Sequence, residues 1–158
     1  NRFDRRGPGP QSPRRRQPAL FKAPPVPLDG LPRTVRATVF YTVEAWSKNR
    51  AWRYDPRSGR HYLTNVARQA RETLSKYLRV SAQRQIPAQG WPWPATKTWI
   101  SVIVHRPDMK SDPINVLDSC ADAAAKALGI NDRFFAVRTL DWYLDERNPR
   151  IDVLVEQD

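Results

Sequence analysis

"TKTWISVIVHRPDMKSDPINVLDSCADAAAKALGINDRFFAVRTLDWYL", residues 96 to 144, decides the fold. Its first part, 96–107, is an apolar, β-branched run stopped by Pro107, the pattern of a largely buried strand. Asp112-Pro113 then reads as a helix start. An aspartate at the N-cap accepts an orphan backbone N–H, and a proline at the first helical position lacks only a donor that has no intrahelical partner. Gly129 supplies the stop, so a helix is expected over 112–128. Ile114, Leu117, Ala121, Ala124 and Leu128 form its apolar stripe, while Asn115, Asp118, Asp122 and Lys126 form the polar one. Asp122 and Lys126 are spaced as a helix ion pair. A further strand is expected over 134–144.

Working outward, "TVRATVFYTVEAW" (34–46) alternates Val35, Ala37, Val39, Tyr41 and Val43 with polar or mixed neighbours and reads as a half-buried strand. Residues 47–63 read as a loop or ribbon that turns at Asp55-Pro56-Arg57-Ser58-Gly59. Thr64 is the N-cap candidate of an amphipathic helix with Val66, Ala70, Leu74 and Tyr77 or Leu78 on its apolar face. Pro87, Gly90, Pro92 and Pro94 end that helix. "RIDVLVEQ" (150–157) reads as a last strand, reached through a turn at Asn148-Pro149. The order β-α-β-α-β-β implies one mixed α/β domain over 33–158, with helices packed on a small mixed sheet. Residues 1–32 hold 8 of the 15 prolines and show no apolar period, so they read as a separate basic arm, disordered or extended on its own.

The 158 residues suffice for one domain, and a net charge of +11 favours an acidic partner, nucleic acid first. The charge is unevenly placed: residues 48–84 hold 10 basic and 2 acidic side chains, and 85–158 hold 8 basic and 11 acidic. A basic front half attracts phosphates, and an acidic back half suits cations. The single cysteine, Cys120, excludes an internal disulfide and a zinc site of paired CxxC motifs. No apolar run approaches the roughly 18 residues of a membrane span, and no secretory signal is legible. A protein that is neither membrane-spanning nor secreted is expected.

The residues suited to chemistry gather around the Ala-rich helix. On helical spacing Asp112, Asn115 and Asp118 share one side of its first two turns, and Asp132 precedes the next strand. A hard cation such as Mg²⁺ takes one or two carboxylates with waters and phosphate oxygens, which this set can supply. Each residue also has an ordinary role: Asp112 as cap, Asp132 as turn former, Asp118 and Asp122 on a solvated face. Upstream, Lys48, Arg50, Arg53, Arg57, Arg60, Arg68 and Arg71 alternate with Trp52, Tyr54 and Tyr62. They suit a surface that clamps phosphates and stacks on exposed bases, or else a solvated basic face whose aromatics turn into the core. Arg14, Arg15 and Arg16 extend the basic set into the arm. His61 and His105 lack a metal-spaced partner and are expected to be structural, Cys120 a small core residue, and Trp91 and Trp93 packed on the sheet.

"RPDMKSDPINVLDSCADAAAKALGINDRFF" resembles the core segment of the RusA-like Holliday junction resolvases. In that family a strand runs into Asp-x-Asp-Asn, a helix, a glycine and an acidic pair before the next strand. Asp112 falls on the first aspartate, Asn115 on the asparagine and Asp132 on the retained acid of the pair. "SKNRAWRYDPRSGRHYLTNVARQARETL" is similar to the family's entry loop and first basic helix, so the resemblance covers roughly 34–157. It implies a homodimeric endonuclease that cleaves branched DNA with Mg²⁺ or Mn²⁺, in the cytoplasm or nucleoid. Asp112 and Asp132 are then metal ligands, with Asn115 orienting.

Two positions depart from the family pattern. Ile114 stands at its second aspartate, and Asp118 at a position often basic. An active enzyme would use Asp118 as third ligand and Lys126 or Lys110 as the positive charge. A degenerate one would need no metal and bind structural RNA as a subunit of a large ribonucleoprotein, such as an organellar ribosome in the organelle matrix.

Overall fold

The computed structural model describes residues 33–85, 93–110 and 112–157. The arm with Arg14, Arg15 and Arg16, together with Trp91, lies outside the described residues. The order along the chain is β1 (Arg33–Phe40), α1 (Val43–Trp46), α2 (Lys48–Ala51), β2 (Trp52–Asp55), β3 (Arg60–Leu63), α3 (Asn65–Gln85), β4 (Thr98–Arg106), α4 (Leu117–Leu128), β5 (Phe135–Leu144) and β6 (Arg150–Gln157). Short 3₁₀ turns at Pro113–Val116 and Asp132–Phe134 lead into α4 and β5.

Four strands form one mixed sheet in the order β1-β6-β4-β5, and β2 and β3 form a separate two-stranded ribbon. β6 lies antiparallel to both β1 and β4, whereas β4 and β5 are parallel. The alternation expected for the first strand is what the register uses. Val35, Ala37 and Val39 sit opposite Val155, Val153 and Ile151, which in turn oppose Ile100, Val102 and Val104. All nine face α3 and α4 and are buried, with Leu74, Leu78, Cys120, Ala124 and Leu128 closing the core from the helix side. Parallel strands need a crossover, and α4 provides it between β4 and β5. β5 carries a bulge at Leu140, so that Val102 pairs with Thr139 and Ile103 with Asp141.

Three expectations are corrected in detail. The first strand ends at Phe40 rather than 46, because the Thr42 side chain accepts from Ala45 N (3.2 Å) and starts a helical turn. The buried Trp46 indole then donates to Phe40 O at 3.0 Å and locks that turn against the strand end. The helix opened by Asp112 begins as a 3₁₀ turn and becomes α-helical only at Leu117. At about three residues per turn its phase shifts. Ile114 is consequently 64% exposed, and the buried stripe is Val116, Cys120, Ala123, Ala124, Ala127 and Leu128. On α3, Leu74 and Leu78 are buried as the pattern requires, but Val66 and Tyr77 are exposed, their places in the core being taken by Ala67, Ser75 and Ala82.

Capping follows the sequence. Thr64 Oγ1 accepts from Ala67 N at 3.3 Å, and Gly129 closes α4 in the left-handed conformation (φ 67°) with its N–H on Ala125 O. Trp93 is buried, and Gln157 ties that stretch to the sheet through Pro94 O (2.8 Å) and Thr98 Oγ1 (2.9 Å).

Leu74 and Val66 test this helix packing. Leu74→Ala is expected to lower the unfolding free energy by about 3 kcal/mol, as for a fully buried leucine. Val66→Ala should change it by less than about 0.5 kcal/mol, since its side chain is mostly in solvent. Urea denaturation of both variants measures the difference.

Candidate nucleic-acid interface and acidic recess

The turn begun at Thr42 has a functional consequence: it swings α1 and α2 to the end of the sheet where β4 finishes. There α1, α2 and the segment after Pro107 enclose a recess of about 400 Å³. Asp112 and Asn115 line it, as do Glu44, Asp108 and Asn49, with Arg50 and Lys110 supplying positive charge. Asp112 Oδ1 accepts from Ile114 N (3.0 Å), which is the capping role expected of it. Asp108 Oδ1 accepts from Lys110 N (2.9 Å) in a local turn. Arg50 stands 3.8 Å from Glu44. The lining is thus rich in oxygen donors, with cationic side chains beside them.

The other two aspartates lie elsewhere. Asp118 forms an ion pair with Lys48 at 2.7 Å on the surface, linking α4 to α2. That hydrogen bond raises the Lys48 pKa above its ordinary value. Asp118 is thus held by Lys48, whose chain neighbours Ser47 and Asn49 line the recess, and does not itself line it. Asp132 caps nothing itself: Asn131 accepts from Arg133 N (3.0 Å), and Asp132 sits exposed in the turn before β5. Because β5 runs parallel to β4, with Phe135 opposite Thr98 and Leu144 opposite Arg106, Asp132 is at the start of the strand pair and Asp112 beyond its finish. Nine residues of β4 separate the two ends, roughly 3.3 Å per residue. Within one chain the fold therefore does not bring Asp132 to Asp112. Among the described residues no three His, Cys, Asp or Glu side chains group as a metal cage.

Glu44, Asn49 and Asp108 were not singled out from the sequence. Asp108 belongs to the same "DMKSD" run as Asp112, which is a usable signal. Glu44 reads only as a strand carboxylate until Thr42 ends the strand.

The basic surface is built on β2, β3 and α3. Trp52, Tyr54 and Tyr62 are 42%, 57% and 50% exposed, so these aromatics face solvent rather than the core. Arg53, Arg57, Arg60 and Arg68 are exposed beside them. Thr64 N bonds to Ala51 O at 2.8 Å and pins the base of the ribbon. Asp55 organises its turn, accepting from the Ser58 hydroxyl (2.7 Å) and Arg57 N (2.9 Å), which hold its carboxyl below the ordinary range. Arg71 is committed internally: it pairs with Asp122 and donates to Ser119 Oγ (2.9 Å), with its guanidinium 5.8 Å from the Trp52 ring centre. Asp122 thus pairs across to α3 rather than along its own helix, and Lys126 lies 3.8 Å from Glu72.

His105 bonds to Asp152 (2.9 Å) and stacks on Tyr143, a structural contact on the sheet face away from the helices. Cys120 is fully buried and burial pushes its thiol up to about 12. No described helix is long and apolar enough to cross a membrane. No protein-family model and no curated protein matches the chain.

The neutral, enclosed state of Cys120 has a direct readout. A thiol reagent such as 5,5′-dithiobis(2-nitrobenzoate) should leave the folded chain unlabelled at neutral pH and label one thiol per chain in urea, because only the accessible thiolate reacts.

Proposed function

We propose that the chain is a metal-dependent, structure-specific endonuclease of branched DNA, as its resemblance to the RusA-like resolvases implies. The single observation that carries this reading is the recess holding Asp112 and Asn115 with Asp108 and Glu44, lined by α2, which runs directly into the basic β2–β3 ribbon. Its oxygen-rich lining suits Mg²⁺ or Mn²⁺ held through one or two carboxylates and completed by waters and phosphate oxygens. Asp112 and Asp108 are the ligands of this proposal, with Glu44 across the recess. The bound cation would polarise the scissile phosphate and lower the pKa of a water.

The chain's own side chains do the remainder. Lys110 and Arg50 hold a phosphate at the mouth of the recess and oppose the charge that develops on it. Asn115 and Asn49 orient oxygens through their amides. Arg53, Arg57, Arg60 and Arg68 bind backbone phosphates and set the register of the duplex arms. A homodimer would present two such recesses to two strands of a junction. The compartment of this reading is the cytoplasm or nucleoid.

A second reading is favoured by Ile114, which stands exposed where the family has an aspartate, and by the Lys48–Asp118 ion pair. It keeps the basic surface and gives up catalysis: a nucleic-acid-binding subunit of a large ribonucleoprotein, for instance an organellar ribosome, with structural RNA as partner and no metal.

Cleavage of a labelled four-way DNA junction separates the two. With Mg²⁺ or Mn²⁺ the chain should give paired symmetric nicks, abolished by chelation. Asp112→Asn keeps the N-cap acceptor and hence the fold, yet should reduce cutting by about a hundredfold. Salt-sensitive binding with no metal-dependent nicking would support the ribonucleoprotein reading instead.

A further inference from the structure

We infer that the β2–β3 ribbon is a stacking platform for unpaired bases, so that the nucleic acid this chain prefers carries a single-stranded segment. The inference rests on the nucleic-acid partner argued above but not on cleavage.

The ribbon is an isolated pair of four-residue strands outside the main sheet. Such a ribbon gains little stability alone and would benefit from burying its rings. Instead the register divides it into two faces that keep aromatic rings in solvent. Trp52 opposite Leu63 and Tyr54 opposite His61 share one face, the Tyr54 and His61 ring centres being 5.1 Å apart. Arg53 opposite Tyr62 and Asp55 opposite Arg60 share the other. The rings of Tyr54, His61 and Tyr62 still present flat apolar surface to solvent, and nucleobases supply matching planes.

Charge selects the occupant. The ribbon carries three arginines against Asp55, whose carboxylate is already taken up by Ser58 and Arg57 N in the turn. A protein partner with an apolar face would gain nothing from this positive field, whereas a phosphate backbone threaded past aromatic rings gains from both.

The aromatic face also leads somewhere. Leu63, opposite Trp52, and Arg71, above the Trp52 ring, both border a recess of about 160 Å³ that reaches Ala123 on α4. That is below the roughly 300–1,000 Å³ of ordinary small-molecule pockets, and suits one ring system rather than a whole cofactor. Paired bases expose their faces only at ends or branch points, so a continuous duplex cannot use these surfaces. An unpaired strand can.

The test is fluorescence anisotropy of the full chain in chelator, so that cutting is silent, against a labelled oligothymidylate about 16 nucleotides long and a duplex of the same length. Tyr54→Ala with Tyr62→Ala should weaken single-strand binding about tenfold and duplex binding less than about twofold. Tyr54→Phe with Tyr62→Phe keeps the rings and should bind the single strand as the parent does. Each single alanine variant should carry part of the loss, which removes dependence on the folding of the double. Equal losses on both probes, no loss on either, or loss in the phenylalanine variant would overturn the inference and give the ribbon to duplex phosphates or to a protein. Because junction cutting is measured separately, an inactive nuclease with ring-dependent single-strand binding leaves the inference standing.

Discussion

The parallel pairing of β4 with β5 constrains everything else in this molecule. Parallel neighbours cannot be joined by a hairpin, so the chain must leave β4 at one end of the sheet and travel back along α4 to begin β5 at the other. The apolar face of α4 is obliged to cover β4 and β5, and α3 covers β1 beside it. The same return path fixes the chemistry-bearing groups. Asp112 and Asn115 fall where β4 finishes, facing α1 and α2 across a recess. Asp132 falls where β5 starts.

Much of this was legible in residue order. The alternation of Val35, Ala37 and Val39, the cap at Asp112-Pro113 and the stop at Gly129 are local signals, and each is where its chemistry requires. What was not legible is phase and distance. The 3₁₀ entry shifts the helix phase so that Ile114 leaves the core, and Asp118 is taken up by Lys48 on α2 instead of lining the recess with Asp112 and Asn115. The strand over-run beyond Phe40 has a similar cause. Tyr41 and Val43 continue the apolar alternation, but the Thr42 hydroxyl captures Ala45 N and converts the backbone to a helical turn. Only then does Glu44 point to the end of β4.

The candidate site shows the same division between local and long-range information. Asp112 and Asn115 were read from a short motif and share a recess; Glu44 and Asn49 come from a segment more than sixty residues away, and no spacing rule links them. Lys48 and Asp118 illustrate the converse. Each was singled out for nucleic acid or metal, and the fold pairs them with each other at 2.7 Å. The aromatic residues of the ribbon could be read either way from sequence, because an alternating Trp-Arg-Tyr pattern fits a core-facing strand as well as a solvent-facing one. The isolation of β2–β3 from the main sheet decides for solvent.

The most direct measurement of the proposed site is paramagnetic broadening of backbone amide resonances by Mn²⁺ in the isotope-labelled chain. Broadening centred on Glu44, Asn49, Asp108, Asp112 and Asn115, with Asp132 unaffected in a monomeric sample, is the expected result. Broadening centred on Asp132, or spread evenly over the surface carboxylates, would contradict a metal site in the recess at the end of β4.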